Sequence, residues 1–395
     1  MYLDTGKQDV TYEDFIAREM IHFSKYDCDR SIPNLMDGLK TSHRKIQFTA
    51  FKRRLTTEIK VAQFSGSVSE ISCYHHGEQS LNGAIIDMAQ NYVGSNNINI
   101  LVPKGQFGTR LQGGKDSAAP RYIFTHLNKI TRAIFPEADD HILQYLNDDG
   151  TPVEPLYYAP IIPMILVNGS IGIGTGFSTD IMCHNPIEII DYVIDYIKAI
   201  TEEKVVNVSR KITPYYEGYK GTITEITPQK CLIKGCYDII SPKQVRITEL
   251  PIGTWTDDYK QFLENLIDNV SSTGKKKAPG VVKEYVDMST DQIINITITF
   301  APNVIDDLVM KEEEYGCNSL EKLLKLYTTR SSTNMHLFDE NDKLTKFESA
   351  KEIIDKFISI RRGIYVKRKE YQINALEREA QVLSNKARFI SEILD

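Results

Sequence analysis

The sequence predicts an α+β, multidomain chain. It divides into a winged-helix (helix-turn-helix) domain over residues 1–190, an α/β domain over 191–345 and the start of a long coiled-coil arm over 346–395. Three observations carry this reading. Two helical stretches around a glycine-containing turn precede the strand-like NINILV (97–102) and a Gly-rich loop, the order of a winged helix. Short β-branched runs then alternate with helical ones between about 190 and 340. From 346 onward there is no proline and a single glycine.

Taken in order, residues 11–30 have helical spacing at Phe15, Ile16, Met20 and Phe23. In SIPNLMDGLKTSHRKIQFTAFKRR, Pro33 and Gly38 punctuate, and Ser42 is placed to cap a helix from about 43 to 54. That helix puts Ile46, Ala50 and Phe51 on one face and leaves Arg44, Lys45, Lys52 and Arg53 largely off it. It is read as the second, basic helix of the helix-turn-helix. A further helix is expected from about 79 to 92, then the strand, then a flexible loop, PKGQFGTRLQGGKDSAAPRY (103–122). In the second domain TITEI, CLIKGCYDII, QVRITEL and IINITITF read as strands, and SSTGKKKAPG (271–280) as a basic loop. In the arm, Ile373, Leu376, Ala380, Leu383, Ala387, Ile390 and Leu394 are spaced alternately three and four, a heptad seam flanked by charge. The seam is still running at the last residue, and the first fifteen residues lack a clean domain start, so a piece of a longer chain is expected.

Composition excludes several classes. Hydrophobic residues are 41% and charged residues 25%, as in an ordinary folded protein. No run of 18 apolar residues predicts a membrane span. The six cysteines form no C-x-x-C pair, and Cys231 and Cys236 have no second pair downstream, so free thiols in a reducing compartment are expected rather than zinc. The net charge of -6 argues against a nucleic-acid partner until its distribution is considered. Between Arg30 and Lys60, eight Lys/Arg face Asp37 and Glu58, a window of +6. That is either a footprint for a polyanion or a solvated helix face.

Chemistry concentrates at APRYIFT (119–125). A tyrosine hydroxyl can attack a phosphodiester when fixed cations meet the charge that builds at phosphorus. Arg121 beside Tyr122 supplies a permanent guanidinium, and His75, His76 and Arg30 add further polar groups. The bland reading stands beside it, because most of the 21 tyrosines of any such chain are packing residues. VNGSIGIGTGFS (167–178) does not have dinucleotide-binding spacing. It reads as a tight turn exposing Ile171 or Ile173 as a wedge between base steps, or as a core isoleucine in a β-turn. Asp139-Asp140 and Asp148-Asp149 read as turn residues.

SIPNLMDGLK (31–40), YHHGEQSL (74–81), AQNYVGSNNINIL (89–101), GQFGTRLQGGKDSAAPRYIFT (105–125) and PIIPMILVNGSIGIGTGFS (160–178) together resemble the breakage-reunion region of type IIA DNA topoisomerases. The resemblance is to the eukaryotic branch and its large-DNA-virus relatives rather than bacterial gyrase. It implies a DNA-cleavage domain, a tower domain and a coiled-coil arm. It also implies an ATP-dependent enzyme that breaks a duplex by tyrosine transesterification, passes a second duplex and reseals. By that resemblance Tyr122 forms the 5′-phosphotyrosyl bond and Arg121 stabilises the transition state. Arg30 and His76 grip the scissile phosphate, Lys40, Tyr74 and Ser80 touch DNA, and Ile173 intercalates. The basic residues Arg44, Lys45, Lys52 and Lys115 are expected to contact DNA as well. The chain departs from the family at Ile171, where an acid is usual, at Phe177 for tryptophan and at His43 for glutamine.

One tyrosine per chain cannot cut both strands, so the resemblance implies a homodimer on double-stranded DNA, with no membrane partner. Neither an EGDSA-type motif nor a D-x-D that fits is present, and no ATP-binding domain is recognised. Mg²⁺ and ATP are therefore expected to bind outside these residues, with no metal ligand here. The implied location is the nucleus in a cell, or the host cytoplasm or nucleus for a virus. Two rivals remain at this point: a non-catalytic winged-helix protein that only binds and bends DNA, and a tyrosine recombinase, which links the 3′ rather than the 5′ end.

Overall fold

A buried carboxylate organises the first domain of the computed structural model, which describes residues 9–202, 210–267 and 280–394. Asp37 is fully buried and accepts four hydrogen bonds: from Arg44 Nε (2.8 Å) and Nη2 (3.1 Å), and from the N–H groups of Leu39 (3.0 Å) and Tyr158 (2.9 Å). Gly38 follows at φ +69°, and a Cβ there would lie 2.6 Å from the Ile165 nitrogen. A glycine is required because the turn packs directly on another stretch of backbone. The helix Thr41–Lys52 starts from this knot and buries Ile46, Ala50 and Phe51, the face expected from spacing. Its N-cap position is Lys40, without a side-chain cap, and Ser42 sits inside the first turn.

The chain then runs strand Ile59–Lys60, helix Val61–Ser72, helix Glu78–Ala89, strand Leu101–Lys104 and strand Phe124–Leu127. The three strands form one antiparallel sheet with Phe124–Leu127 in the centre. Here the helix-turn-helix expectation needs correction. The pair joined by a tight turn after the first strand is Val61–Ser72 and Glu78–Ala89, with Cys73 left-handed at φ 51° between them. The basic helix Thr41–Lys52 precedes that pair. Its charge misled because two of its cations are interior. Arg44 is only 7% exposed and is committed to Asp37 and the Leu39 carbonyl. Lys45 donates to the Ser72 carbonyl (2.6 Å) and pairs with buried Glu154 (2.8 Å).

At the N-terminal side, Tyr12–Phe15, a π-turn at Ile16–Met20 and Ile21–Ser31 form one helical stretch, as the spacing predicts. Its apolar residues Phe15, Ile16, Met20 and Phe23 are exposed rather than packed on the chain.

The second domain stacks a four-stranded antiparallel sheet, ordered Cys236–Ser241, Gln244–Glu249, Ile296–Phe300, Val282–Asp287, beside a three-stranded one, ordered Tyr327–Ser331, Lys230–Lys234, Thr222–Thr227. Alternation puts Val245 and Ile247 inward opposite Ile298 and Ile296. The helix Thr256–Ile267 covers them with Tyr259 and Leu263. The expected basic loop at 271–280 lies outside the described residues apart from Gly280.

The core of the first domain takes in Ile189 and Tyr192, then Met335, Leu337, Phe347 and Ile353–Ile364 residues such as Phe357. A boundary at 190/191 would cut the helix Pro186–Thr201, and one at 345/346 would cut the strand Leu344–Phe347. The arm is one helix, Ala350–Leu394, whose seam residues Ile373, Leu376, Leu383, Ile390 and Leu394 are exposed. Its base is anchored by Arg361, which bonds Asp139 at 2.7 Å, with Arg368 at 3.3 Å. Asp139 is therefore a buried ion-pair partner, not a turn residue; Asp140 pairs with Arg132 at 2.9 Å and Asp148 with His75 at 3.1 Å. Asp149, at φ 46°, is the one that turns.

Because the Asp37 charge is fully desolvated, Arg44→Ala leaves it without its cation and is expected to cost about 3–5 kcal/mol. Urea unfolding of the variant reads this directly, and a loss under about 1 kcal/mol would show that the pair behaves as a surface one.

Candidate nucleic-acid interface

The loop from 105 to 123 links the outer strand Leu101–Lys104 to the central strand Phe124–Leu127 of the first-domain sheet. Its end is held at a helix N-terminus: the Val61 N–H donates to the Ile123 carbonyl (3.0 Å) and the Ala62 N–H to the Pro120 carbonyl (3.2 Å). Between those two carbonyls the chain makes a turn closed by the Tyr122 N–H on Ala119 O at 2.9 Å. Tyr122 is thus projected outward, 66% exposed, and its hydroxyl makes no hydrogen bond among the described residues. The Arg121 guanidinium lies 4.9 Å from the Tyr122 ring centroid. An exposed phenol, an exposed guanidinium and the positive end of a twelve-residue helix therefore meet on one short turn.

The loop, expected to be flexible, is bonded internally at several points. Asp116 accepts from the Thr109 N–H (2.8 Å) and hydroxyl (2.6 Å), and Gln90 Nε2 reaches the Phe107 carbonyl (2.9 Å). Gly108 packs on Gly114, where a Cβ would lie 2.5 Å from the Gly114 Cα. Lys115 stands exposed on this loop.

A second feature is a basin of roughly 670 Å³ lined by Arg30, Tyr74, His76, Ser80, Arg44 and Lys45 among others. Arg121 and Tyr122 are not in its lining, so within one chain the four residues expected at the chemistry fall in two places. Arg30 is exposed and lies 5.9 Å from the Tyr26 ring. Tyr26 shares a 2.5 Å hydrogen bond with His76 Nε2. Sequence reasoning missed Tyr26; its four-residue spacing to Arg30 on one helix is the signal that could have found it. Partial burial, then the nearby Arg30, His75 and Lys45, hold His76 below the ordinary imidazole range. Tyr74 is buried, edge-on to His76, with its hydroxyl 3.5 Å from Ser80 Oγ. Arg44 and Lys45, expected to contact DNA, line the basin wall, but their charges are engaged by Asp37 and Glu154.

The third feature is the hairpin of strands Ser170–Ile173 and Ser178–Ile181. Ile173 is 80% exposed at its tip and Ile171 is 60% exposed, so neither is a core residue. Lys40, instead of projecting into solvent, is half-buried and donates to the Ile171 carbonyl at 2.8 Å. Burial lowers its pKa, with Asp87 opposing. A Cβ at Gly172 would sit 2.0 Å from the Ser31 carbonyl, and one at Gly174 3.0 Å from Cys28 Sγ. Thr175 bonds Asp27 at 2.8 Å. The hairpin is therefore seated on the helix that carries Arg30. Lys52 lies elsewhere, exposed at the far end of its helix, 5.4 Å from the Phe48 ring.

A sequence profile for the A-type chain of DNA gyrase/topoisomerase IV matches residues 30–395. The chain belongs to the DNA gyrase/topoisomerase IV family. It is 45% identical to the mitochondrial DNA topoisomerase 2 of Dictyostelium discoideum and 46% identical to the DNA topoisomerase 2 of Arabidopsis thaliana, covering 99% and 100% of this chain. These alignments span only 29% and 26% of those proteins. The fold matches the crystal structure of the Plasmodium falciparum topoisomerase II DNA-binding, cleavage and re-ligation domain, with a TM-score of 0.87 and 44% identity. That match covers 99% of this chain and 51% of the other. These relatives are eukaryotic, in line with the branch expected from the motifs.

Among the described residues no group of three or more His, Cys, Asp or Glu is placed to hold a metal ion. Of the carboxylates lining the basin, Glu154 is paired with Lys45 and Asp148 with His75, Asp27 accepts from Thr175, and Asp29 and Asp342 complete the set. All six cysteines are free, and among the described residues no helix is long and apolar enough to cross a membrane.

His76 gives this interface a pH dependence. Its pKa is held below the ordinary imidazole range by burial and neighbouring cations, which favours the neutral ring. A phosphate in the basin would raise that pKa, and binding would take up a proton. If the basin binds duplex, affinity is expected to rise as pH falls from 8 to 6, and His76→Gln to flatten the slope. An unchanged slope in the variant would assign the proton to another group.

Proposed function

We propose that this chain is the DNA-binding and strand-cleavage core of an ATP-dependent type IIA topoisomerase. The observation that carries the reading is the exposed Tyr122 on a rigid turn beside Arg121. The order strand, helix, helix, strand, loop, strand is that of a winged helix, with Arg121 and Tyr122 at the base of the wing. In the proposed reaction the Tyr122 phenolic oxygen attacks a backbone phosphorus, the P–O bond to the 3′ oxygen breaks, and that oxygen leaves as a 3′-hydroxyl. The 5′ end stays on the tyrosine, so the phosphodiester energy is kept for resealing. Arg121 and the Val61–Ser72 helix terminus face the charge that develops on phosphorus. The base that takes the phenolic proton is not among the groups bonded to Tyr122 here and is assigned to another part of the enzyme.

A homodimer supplies the two tyrosines that a double-strand break requires, and the exposed arm seam suits a coiled coil. Arg30, His76 and Ser80 in the basin are proposed to hold the backbone near the break, with Lys115 and Lys52 as more distant phosphate contacts. Ile173 is proposed to enter between base steps and bend the duplex. Ile171 at that hairpin, where relatives of the branch have an acid, makes the wedge more apolar. The Mg²⁺ and ATP that such an enzyme uses are assigned to domains outside these residues. Its compartment is whichever holds its DNA, the nucleus in most cells; one relative is named mitochondrial.

Tyr122→Phe is expected to abolish protein-linked DNA trapped by denaturant in the full enzyme, with duplex affinity within about twofold of the parent. Label remaining on the variant protein would remove Tyr122 from the chemistry, and label on the 3′ end would point to recombinase-type cleavage instead. Ile173→Ala should reduce the bend measured by energy transfer between duplex ends while leaving cleavage detectable. An unaltered bend would return Ile173 to a passive surface role.

A further inference from the structure

The nucleophile loop is gripped from outside its own domain. Trp255, the single tryptophan of the chain, precedes the helix Thr256–Ile267 of the second domain. Its indole lies against Gly113 of the Tyr122 loop so closely that a Cβ at Gly113 would fall 2.3 Å from both Trp255 Nε1 and Cε2. The other edge of the ring faces Gly94, at 3.3 Å from the corresponding Cβ position. Tyr92 stands edge-on to it, with ring centroids 5.8 Å apart. Both glycines have positive φ, +61° and +95°. The two backbones are therefore shaped to admit the ring, and no other residue type fits there without moving it.

Polar contacts cross at the same place. Arg110 of the loop makes a two-pronged ion pair with Glu249 of the second-domain sheet, both nearly inaccessible. Glu249 also accepts from the backbone N–H groups of Leu250 (2.9 Å) and Lys220 (3.3 Å), so its carboxylate is fixed on its own side. The Thr256 N–H donates to the Arg110 carbonyl (3.4 Å), the Asp257 N–H to the Leu111 carbonyl (3.0 Å), and Gln112 to Asp257 (3.0 Å). Loop residues 110 to 113 thus each touch the second domain. From there the loop's own bonds, Gly114 N–H to Thr109 O (2.9 Å) and Ala118 N–H to Gln106 O (2.9 Å), lead to the turn that projects Tyr122.

We propose that Trp255, with the Arg110–Glu249 pair, is a positioning element for Tyr122, so that the second domain sets where the phenolic oxygen stands. This rests on the proposed role of Tyr122. A buried ion pair costs desolvation on both sides and an indole slot excludes every side chain, so such a joint tolerates little displacement. A nucleophile displaced by about 1 Å can lose on the order of a hundredfold in rate. Rotation of the second domain would reach the tyrosine through this joint.

The test compares Trp255→Ala, Trp255→Phe and Gly113→Ala with the parent and with Tyr122→Phe. In the full enzyme, Trp255→Ala and Gly113→Ala are expected to lower the rate of forming protein-linked DNA by about tenfold to a hundredfold, with duplex affinity changed less than about threefold. Trp255→Phe should recover part of the rate because a ring still fills the slot. A general folding defect would lower affinity and melting temperature together, and the phenylalanine variant would not rescue selectively. In this chain, Gly113→Ala keeps the second-domain core and the fluorophore. The Trp255 emission should shift to the red as the ring is expelled. If emission shifts and cleavage does not fall, the joint is real but does not position the tyrosine, and the proposal is overturned. If emission does not shift, the indole is not seated on the loop and the proposal is equally overturned. Loss of the Tyr122 assignment itself would show separately, as protein-linked DNA persisting in Tyr122→Phe.

Discussion

The buried charge of Asp37 is the constraint on which the arrangement of the first domain depends. A carboxylate with no access to water is tolerable only when its lone pairs are met by donors and its charge by a cation. Arg44 supplies the cation, and Leu39 and Tyr158 the remaining donors. Satisfying one carboxylate therefore fixes the basic helix, the Gly38 turn and the segment leading into Met164–Asn168 in one relation. The Ile173 hairpin follows directly from that segment, and Lys40, two residues beyond Gly38, bonds its backbone. The geometry of the Ile173 hairpin is inherited from the knot.

Charge in this chain is divided between scaffold and surface. The window from Arg30 to Lys60 looks uniformly basic in sequence, but Arg44 and Lys45 neutralise interior carboxylates while Arg30 and Lys52 remain in solvent. The exposed cations are what a polyanion meets, and they sit with Arg121 and Lys115 on different elements. Within one chain the basin holding Arg30 and His76 does not include Tyr122. A single polyanion backbone that touches both would have to cross the loop that carries Tyr122.

The Tyr122 turn and the Ile173 hairpin are both seated on other parts of the molecule. The turn is tied to a helix N-terminus and, through its loop, to the second domain. The hairpin rests on the Arg30 helix and is braced by the returning chain, where Asp180 pairs with Arg330 and Phe177 meets His336 at 5.6 Å between centroids. Close backbone approach at Gly113, Gly172 and Gly38 is the common device, since each glycine sits where a methyl group would collide.

Much of this was legible in the sequence. The 3.6-residue spacing of Ile46, Ala50 and Phe51, the two-residue alternation of Val245, Ile247 and Glu249, and the heptads of the arm are local patterns, and each element formed where its pattern lay. Long motifs such as GQFGTRLQGGKDSAAPRYIFT carried the family and singled out Tyr122. The sequence could not say which cations are interior, because burial of Arg44 depends on an aspartate and a backbone turn meeting it in space. It could not rank the helices of the helix-turn-helix, because the helix in the second position, Glu78–Ala89, has no basic residue to mark it. It could not show that strands Met335–Phe338 and Leu344–Phe347 return to a core laid down near the start of the chain. Nor could it show that Trp255 seats on Gly113. Local periodicity is written in neighbouring residues, whereas desolvation, ion pairing and close packing are properties of residues brought together only by the completed fold.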